Sequence, residues 1–374
     1  LIIAEDYGVV ADGATDDTLA MQAVIALSAS TGDRDIVLPS GVICVGDVIK
    51  IDAPGTTLRG ANRLGTTIKT MHSSRNILEL NGWYSEARDI GFDAGVPRTG
   101  GTSVHLLGAH TQLKDFKIEN DVIGVHLTGA AAEISKGLLG TGLAHSTRIL
   151  VDGGDTSQVI DRVVCGAQNG PFPDFGIRVV DSAALIIRAT RIMNAGVGLG
   201  LIPSGSGKGV HSLFASDCFF DSGSTGIMVA PSNGANVSRC RWSGCWTGGG
   251  TGNGVDMHKD GTGSISGMHF DAHHSINNVL SGFAVGSGVE DFAINGGEIA
   301  GNDFGVWIAE MVSGFRVQNA TIGYGAGMVP NRKWGVFVSN YCGNYQVTGN
   351  TLLYNGTGGC NASTNQFGKV DNIG

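Results

Sequence analysis

Gly226-Ile227-Met228-Val229, Gly254-Val255-Asp256-Met257, Gly282-Phe283-Ala284-Val285, Gly305-Val306-Trp307-Ile308 and Gly335-Val336-Phe337-Val338 share one pattern. Each is a glycine followed by an apolar, a variable and an apolar residue. Counting from Gly198-Leu199-Gly200-Leu201, successive copies begin 28, 28, 28, 23 and 30 residues apart. Gly124-Val125-His126-Leu127 and Gly176-Ile177-Arg178-Val179 extend the series upstream, and Ser103-Val104-His105-Leu106 and Asn76-Ile77-Leu78-Glu79 are weaker copies. A second strand follows within each unit, as in Phe292/Ile294/Gly297/Ile299 and Phe315/Val317/Ala320/Ile322. Units of this length with two or three short strands each specify a solenoid. The leucine-rich pattern with its helix is absent, and propeller blades need longer, four-stranded units. The expectation is an all-β chain: a right-handed parallel β-helix of about ten coils.

The composition agrees. The chain has 374 residues, 42% hydrophobic and 15% charged, with 61 glycines, 8 prolines and a net charge of −9. Disorder and collagen are excluded by the apolar content and by the lack of a Gly-X-Y period. No run of 18 apolar residues occurs, so no helical membrane insertion is expected. The acidic balance argues against nucleic acid as a partner. Glycine is expected at the tight turns, where positive φ costs it nothing. The seven cysteines lack metal-site spacing and read as small buried hydrophobes.

Only one helix is signalled. Thr15-Asp16-Asp17 precedes Leu19, Ala23, Ala26 and Leu27, an N-cap followed by an amphipathic stripe. Such a helix suits the open end of a β-helix, which must be covered. One β-helix domain is expected over 1–374, with a cap at 1–35, coils over 36–355 and an end segment at 356–374.

The opening Asp6-Tyr7-Gly8-Val9-Val10-Ala11-Asp12-Gly13-Ala14-Thr15-Asp16-Asp17-Thr18, continued by Ala20 and Gln22, resembles the N-terminal motif of pectate-lyase-like proteins. Val37-Leu38-Pro39-Ser40-Gly41 and Thr57-Leu58-Arg59-Gly60 through Thr67-Ile68 continue the likeness. The resemblance implies a right-handed parallel β-helix and action on polysaccharide, most like phage or prophage tailspike depolymerases. It further implies a homotrimer and an extracellular or virion-associated location. The motif marks the fold rather than the activity. The Asn-Thr-Asp, Asp-Asp and Gly-His-Gly set of polygalacturonases is missing, as is the Asp-Pro-His-Glu of mannuronan epimerases. The Asp12, Asp16 and Asp17 cluster reads as a turn and helix cap rather than a cation site.

Chemistry on a β-helix is assembled from neighbouring coils, about 4.8 Å apart. Aligned on the glycine, the outward column reads Arg178, Gly200, Met228, Asp256, Ala284, Trp307, Phe337. Asp256 and His258 share a strand face. Trp307 follows two coils later, with Glu310 beyond it and Asp303 and Glu298 before it. Two carboxylates two coils apart leave room for a water, as inverting glycoside hydrolysis requires. Asp256 and Glu310, with Asp303 in reserve, are therefore the candidate catalytic residues. Trp307, His258, Arg178, Trp246, Arg239 and Arg316 are the candidate substrate-binding residues.

A cationic column on the second strand, Lys117, Arg188, Arg239 or Arg241, His269 and Arg316, offers a rival. It suits a lyase acting on a uronic-acid polymer. A non-catalytic receptor-binding or structural β-helix is the third reading. His269, His273 and His274 lack a scaffold for metal, and no cofactor is expected. Trp242 and Trp246 either line a groove or fill a corner. Asn236, Asn319, Asn355 and Asn361 read as stacked turn asparagines.

Overall fold

Alternation of apolar and polar residues puts one edge of each short strand inside and the other in solvent. In the computed structural model these strands stack, parallel throughout, into a right-handed β-helix with an N-terminal capping helix. The structure describes all residues except 141–142, 154–156, 167–171, 222, 324–328, 363–367 and 374. The chain divides into two compact units, Leu1–Ile177 and Arg178–Gly374.

Each coil has three sides. In the first unit, face one contains Ile49–Ile51, Leu78–Leu80, Thr102–Leu106, Ile123–Leu127 and Thr147–Asp152. Face two begins with Ile2–Ile3, Asp35–Val37 and Thr57–Arg59, and face three with Asp12–Asp16, Gly41–Val45 and Thr66–Thr70. In the second unit, face one contains Val197–Leu201, Thr225–Val229, Val255–Met257, Ser281–Val285, Phe304–Ile308, Trp334–Val338 and Gly358–Ala362. Face two there includes Ile186–Arg188 and Arg316–Gln318, and face three includes Arg191–Met193, Phe219–Asp221 and Trp246–Gly248.

Among the described residues thirteen strands belong to face one, one per coil, against about ten expected. The difference lies in the early coils. Leu78 pairs with Val104, Val104 with Val125 and Val125 with Ile149, steps of 26, 21 and 24 residues. Most of these coils lack the glycine anchor and so evade the motif. The same residues form a continuous apolar wall, since Leu78, Val104, Val125 and Ile149 are all fully buried. Burying each such side chain contributes roughly 1.5–3 kcal/mol.

The anchor glycines do a different job from the one composition suggests. Gly198, Gly226, Gly254, Gly282, Gly305 and Gly335 do not have positive φ. They are sites of close approach: a Cβ at Gly282 would lie 2.6 Å from the Gly305 carbonyl oxygen and 2.6 Å from Ile299 Cγ2. The sharp corner between faces two and three does use the left-handed region, but largely without glycine. Asp89, Asp115, Lys136 and Arg162 take it in the first unit, and Ala189, Asp217, Ala272 and Asn319 in the second. The amide at each corner finds the next coil, as where Asp217 N donates to Ser243 O at 3.0 Å. Interstrand bonding thus offsets the cost of αL for these residues.

Asparagine closes the corner from face three to face one. Asn278 N donates to Asn302 Oδ1 at 2.9 Å, and Asn302 N to Asn331 Oδ1 at 3.0 Å. Asn331 Nδ2 reaches Asn355 Oδ1 at 3.0 Å. Asn278, Asn302 and Asn331 are buried, where an unpaired amide would be costly. The expected stacking holds for Asn355 here and for Asn319, whose Nδ2 donates to Asn295 Oδ1 at 3.1 Å.

Helix α1 (Thr18–Thr31) packs against Ile49–Ile51 and the 3-10 turn Ala4–Tyr7. Its buried stripe is Met21, Val24 and Ser28, not the expected Leu19, Ala23 and Ala26; Leu19 is 79% exposed. Both sets have helical spacing, and the small Ser28 fits the close side, where its hydroxyl donates to Asp33 O at 2.6 Å. The aspartates ahead of the helix act as turn formers. Asp12 Oδ1 accepts from Ala14 N and Thr15 N, and Asp17 Oδ1 from Val10 N at 2.8 Å. All seven cysteines are free and six are buried. Trp242 fills the core, stacked on Phe270 at 4.5 Å.

The glycine contacts generate a stability prediction. Gly282→Ala is expected to cost about 2 kcal/mol, because backbone must move to admit the methyl group. Gly343→Ala, where a Cβ meets nothing within 4 Å, is expected to be near neutral. Equilibrium denaturant unfolding of both variants checks the contrast.

Candidate functional site

On face one of the second unit the register pairs Gly200 with Met228, Met228 with Asp256, Asp256 with Ala284, Ala284 with Trp307 and Trp307 with Phe337. The outward column read from the sequence is therefore a physical column. Asp256 and Trp307 stand two strand spacings apart, about 9.6 Å. Ala284 forms the floor between them. Gly286 keeps the same floor low beside His258: a Cβ there would lie 3.1 Å from His258 Cβ.

Asp256 is held in place by two neighbours. His258 Nδ1 lies 3.0 Å from its Oδ1, and Asn253 Nδ2 donates to its Oδ2 at 3.2 Å. Asn253 is fixed in turn, its Oδ1 accepting from Ser281 N at 3.0 Å. The hydrogen bond to Asp256 raises the His258 pKa above its ordinary value, against the opposing effect of partial burial. The dyad remains accessible, with the Asp256 side chain 24% and the His258 side chain 46% exposed.

Trp307 belongs to a larger aromatic group. Phe304 and Trp307 on one coil lie beside Trp334 and Phe337 on the next, all half-buried. Phe304 and Phe337 meet edge to face at 5.9 Å, and Lys333 Nζ sits 4.9 Å above the Phe304 ring. Phe304 and Trp334 immediately precede the anchor glycines. That position, one before each glycine, is the signal that would have revealed them.

The two remaining carboxylates differ. Asp303 is bound by Lys333 Nζ at 2.6 Å and Arg332 Nε at 3.2 Å. Burial opposes its ionisation, but these two cations outweigh burial and hold its carboxyl below the ordinary range. Glu310 lies in the turn after the Trp307 strand, is exposed, and forms no ion pair among the described residues.

The expected binding residues do not all converge. Arg178 is half-buried in the strand Phe175–Asp181, and Gly200 and Met228 occupy the two coils before Asp256. Trp246 is on face three, between Phe219 at 6.5 Å and His274 at 5.8 Å. Arg239 is an exposed residue inside the face-two strand Asn236–Ser243, with φ 56°. Arg316 is on face two, in the column Arg241, His269, Ala293, Arg316. Ala293 interrupts this cationic column, and Arg241 is paired with Asp271 at 2.8 Å. Arg188 aligns with Ser216, two residues out of register with Phe214 and Arg241, and Lys117 lies on face three. His273 points into the core while His269 and His274 face outward from different faces, so the three do not form one cluster.

The first unit carries a second titratable column on face one, which the motif hides as ordinary repeat positions. It runs Lys50, Glu79, His105, His126. Lys50 pairs with Glu79 at 3.3 Å, and the two imidazoles stack at 4.3 Å. Burial, reinforced by the neighbouring His126, lowers the His105 pKa to about 4.

Residues 2–201 match the family described as rhamnogalacturonase A/epimerase, pectate lyase-like. No curated protein matches the chain in sequence. Among solved structures, the A-module of the mannuronan C-5 epimerase AlgE4 of Azotobacter vinelandii superposes with a TM-score of 0.64 at 14% identity, each chain covered in full. The Dettilon tailspike protein gives 0.61 at 15% identity, over 96% of this chain and 68% of that one. The Agl-KA catalytic domain gives 0.59 at 14% identity, over 99% and 68%.

The two histidine environments are separable by titration. His258 is expected to titrate above its ordinary 6.5 and His105 near 4, by imidazole NMR. Asp256→Asn should lower the first and leave the second unchanged. The low value also carries a stability consequence. As pH falls from 6.5 toward 4 the unfolded chain takes up a proton that folded His105 refuses, so stability should drop across that window.

The opening motif, the coil geometry and the matched half of the sequence agree, and the chain belongs to the rhamnogalacturonase A/epimerase family of pectate lyase-like proteins.

Proposed function

We propose that the chain is a polysaccharide-depolymerising glycoside hydrolase acting in the notch between Asp256 and Trp307. The observation that carries this is the column Asp256–Ala284–Trp307. It puts a carboxylate, a small residue and an aromatic ring on three consecutive coils. A sugar ring set on Ala284 meets Trp307 with its apolar face and Asp256 with its reacting edge. Hydrogen bonds from Asn253 and His258 fix the orientation of the Asp256 carboxyl group, which suits activation of water. Glu310 is the second carboxylate, because Asp303 is already neutralised by Lys333 and Arg332. Two coils separate Asp256 from the Glu310 coil, which supports the wider, inverting arrangement over the retaining one.

The tailspike likeness supports a bacterial surface polysaccharide as substrate, a homotrimer as the assembly and an extracellular or virion-associated setting. Elimination on a uronic-acid polymer is the competing chemistry. It is less well supported, since the cationic column on face two is interrupted by Ala293.

Incubation with capsular, lipopolysaccharide and plant polysaccharides tests this. New reducing ends without ultraviolet-absorbing unsaturated ends are expected. Unsaturated ends would establish a lyase, and binding without shortening would establish a non-catalytic receptor-binding protein. Asp256→Asn and Glu310→Gln should each lower kcat about 10³-fold while leaving the fold intact. Trp307→Ala should act mainly on KM. Full activity in either carboxylate variant would overturn the assignment.

A further inference from the structure

The corner between faces one and two of the first unit is built from stacked left-handed residues. Gly55, Tyr84, His110 and Ala131 occupy it on four successive coils, with φ of 71°, 58°, 57° and 52°. Gly55 N donates to Trp83 O at 2.7 Å, Tyr84 N to Ala109 O at 3.0 Å, and His110 N to Ala130 O at 2.8 Å. The corner needs only this backbone ladder, which glycine supplies at 55. Tyrosine also takes this conformation at 341 and 354, so it is the surroundings of the Tyr84 ring, not its backbone, that single it out.

The ring of Tyr84 is covered on one side only. It lies parallel to His110, centroids 4.7 Å apart and planes 2° apart. The rung on its other side is Gly55, where a Cβ would meet nothing within 4 Å. Trp83 stands beside it. Trp83 is 63% and Tyr84 64% exposed, an unusual outlay of aromatic surface for two adjacent residues.

A cleft of the same unit lies close to Gly55 in the chain. Asp52 and Ala53, three and two residues before Gly55, line a cleft of about 690 Å³, within the range of small-ligand sites. Gln22 and Ala29 of α1 line it too, as do Lys50 and Arg75. Asp52 accepts from Asn81 Nδ2 at 2.6 Å and remains exposed. Lys50 and Arg75 are engaged by Glu79 at 3.3 Å and Asp47 at 2.7 Å. The cleft therefore offers hydroxyl acceptors but no spare cation for an acidic group.

We propose that this corner is a second carbohydrate site, which takes a neutral hexose oligosaccharide. One pyranose ring lies against the free face of Tyr84, over Gly55, with Trp83 at its side. Asp52 accepts its hydroxyl protons, and the cleft along α1 receives the next sugar of the chain. The site shares no residue with the Asp256 notch and stands whether or not that notch turns over substrate.

The test uses the full chain carrying Asp256→Asn, so that no ligand is consumed. An array of neutral and uronate-bearing oligosaccharides selects the probe. The best-bound neutral hexasaccharide is then titrated into protein labelled with fluorotyrosine at its six tyrosines. The Tyr84 ¹⁹F signal, identified as the resonance missing from Tyr84→Phe, is expected to move with saturation. Gly55→Asn keeps a residue type tolerant of positive φ but fills the rung. It should weaken the Tyr84-reported affinity about tenfold or more, as should Trp83→Ala. The proposal fails if no neutral glycan moves the Tyr84 signal, if uronate-bearing glycans alone do so, or if Gly55→Asn binds as tightly as its parent. Loss of polysaccharide cleavage in Asp256→Asn with the Tyr84 response intact would separate this site from the hydrolase reading.

Discussion

A parallel β-helix depends on closing each coil over the one before it at strand spacing, about 4.8 Å. That spacing leaves no room for error at the corners, where the chain turns sharply and its amides leave the regular ladder. Here the corners are closed by two devices. Left-handed residues such as Asp217 and Ala272 hand their amides to the next coil. The buried asparagines at 278, 302 and 331 supply both a donor and an acceptor to the coil beside them. Each asparagine satisfies its neighbour's backbone and is satisfied by the next, so the ladder is stable only as a series.

The glycine anchors follow from the same spacing. Where face three turns into face one, the backbone of one coil presses on the next, and Gly282 sits under the Gly305 carbonyl. Corners and anchors fix the register, and the register frees the outward positions. Met228, Asp256, Ala284, Trp307 and Phe337 are held at one height on consecutive coils by inward neighbours that are all buried. Function can then be written in the outward column without disturbing the core.

This separation explains what the sequence reveals. Inward positions repeat, so the Gly-apolar-x-apolar pattern exposes the architecture and even predicts the Asp256–Trp307 column. The early coils are harder to count because Leu78 and Val104 do their work without the glycine. The helix stripe is ambiguous because Leu19/Ala23/Ala26 and Met21/Val24/Ser28 have equally good helical spacing. The contacts with Ile49–Ile51 and Ala4–Tyr7 decide between them. Site residues drawn from different faces are harder still. Trp246 lies on face three while Arg239 and Arg316 lie on face two, and corners of variable length hide that placement. A constellation confined to one column is legible in one dimension, whereas one that crosses a corner is not.

The aromatic residues show how stacking and binding are told apart on such a surface. Neighbouring coils place rings one above another, and Phe292, Phe315 and Tyr345 do so in the interior at 5.1 and 4.9 Å. Trp246 does so on the outside, but Phe219 and His274 cover it on both sides. Its faces are already spent on protein, so exposure alone does not make it a platform. Trp307 and Tyr84 differ in one respect. Beside each, the adjoining rung is a residue with little or no side chain, Ala284 for Trp307 and Gly55 for Tyr84. In both proposed sites a ring is left open one rung wide, with Asp256 in the same column in one case and Asp52 three residues before the glycine rung in the other. In both proposals the small residue next to the aromatic, rather than the aromatic itself, marks where a ligand would complete the stack.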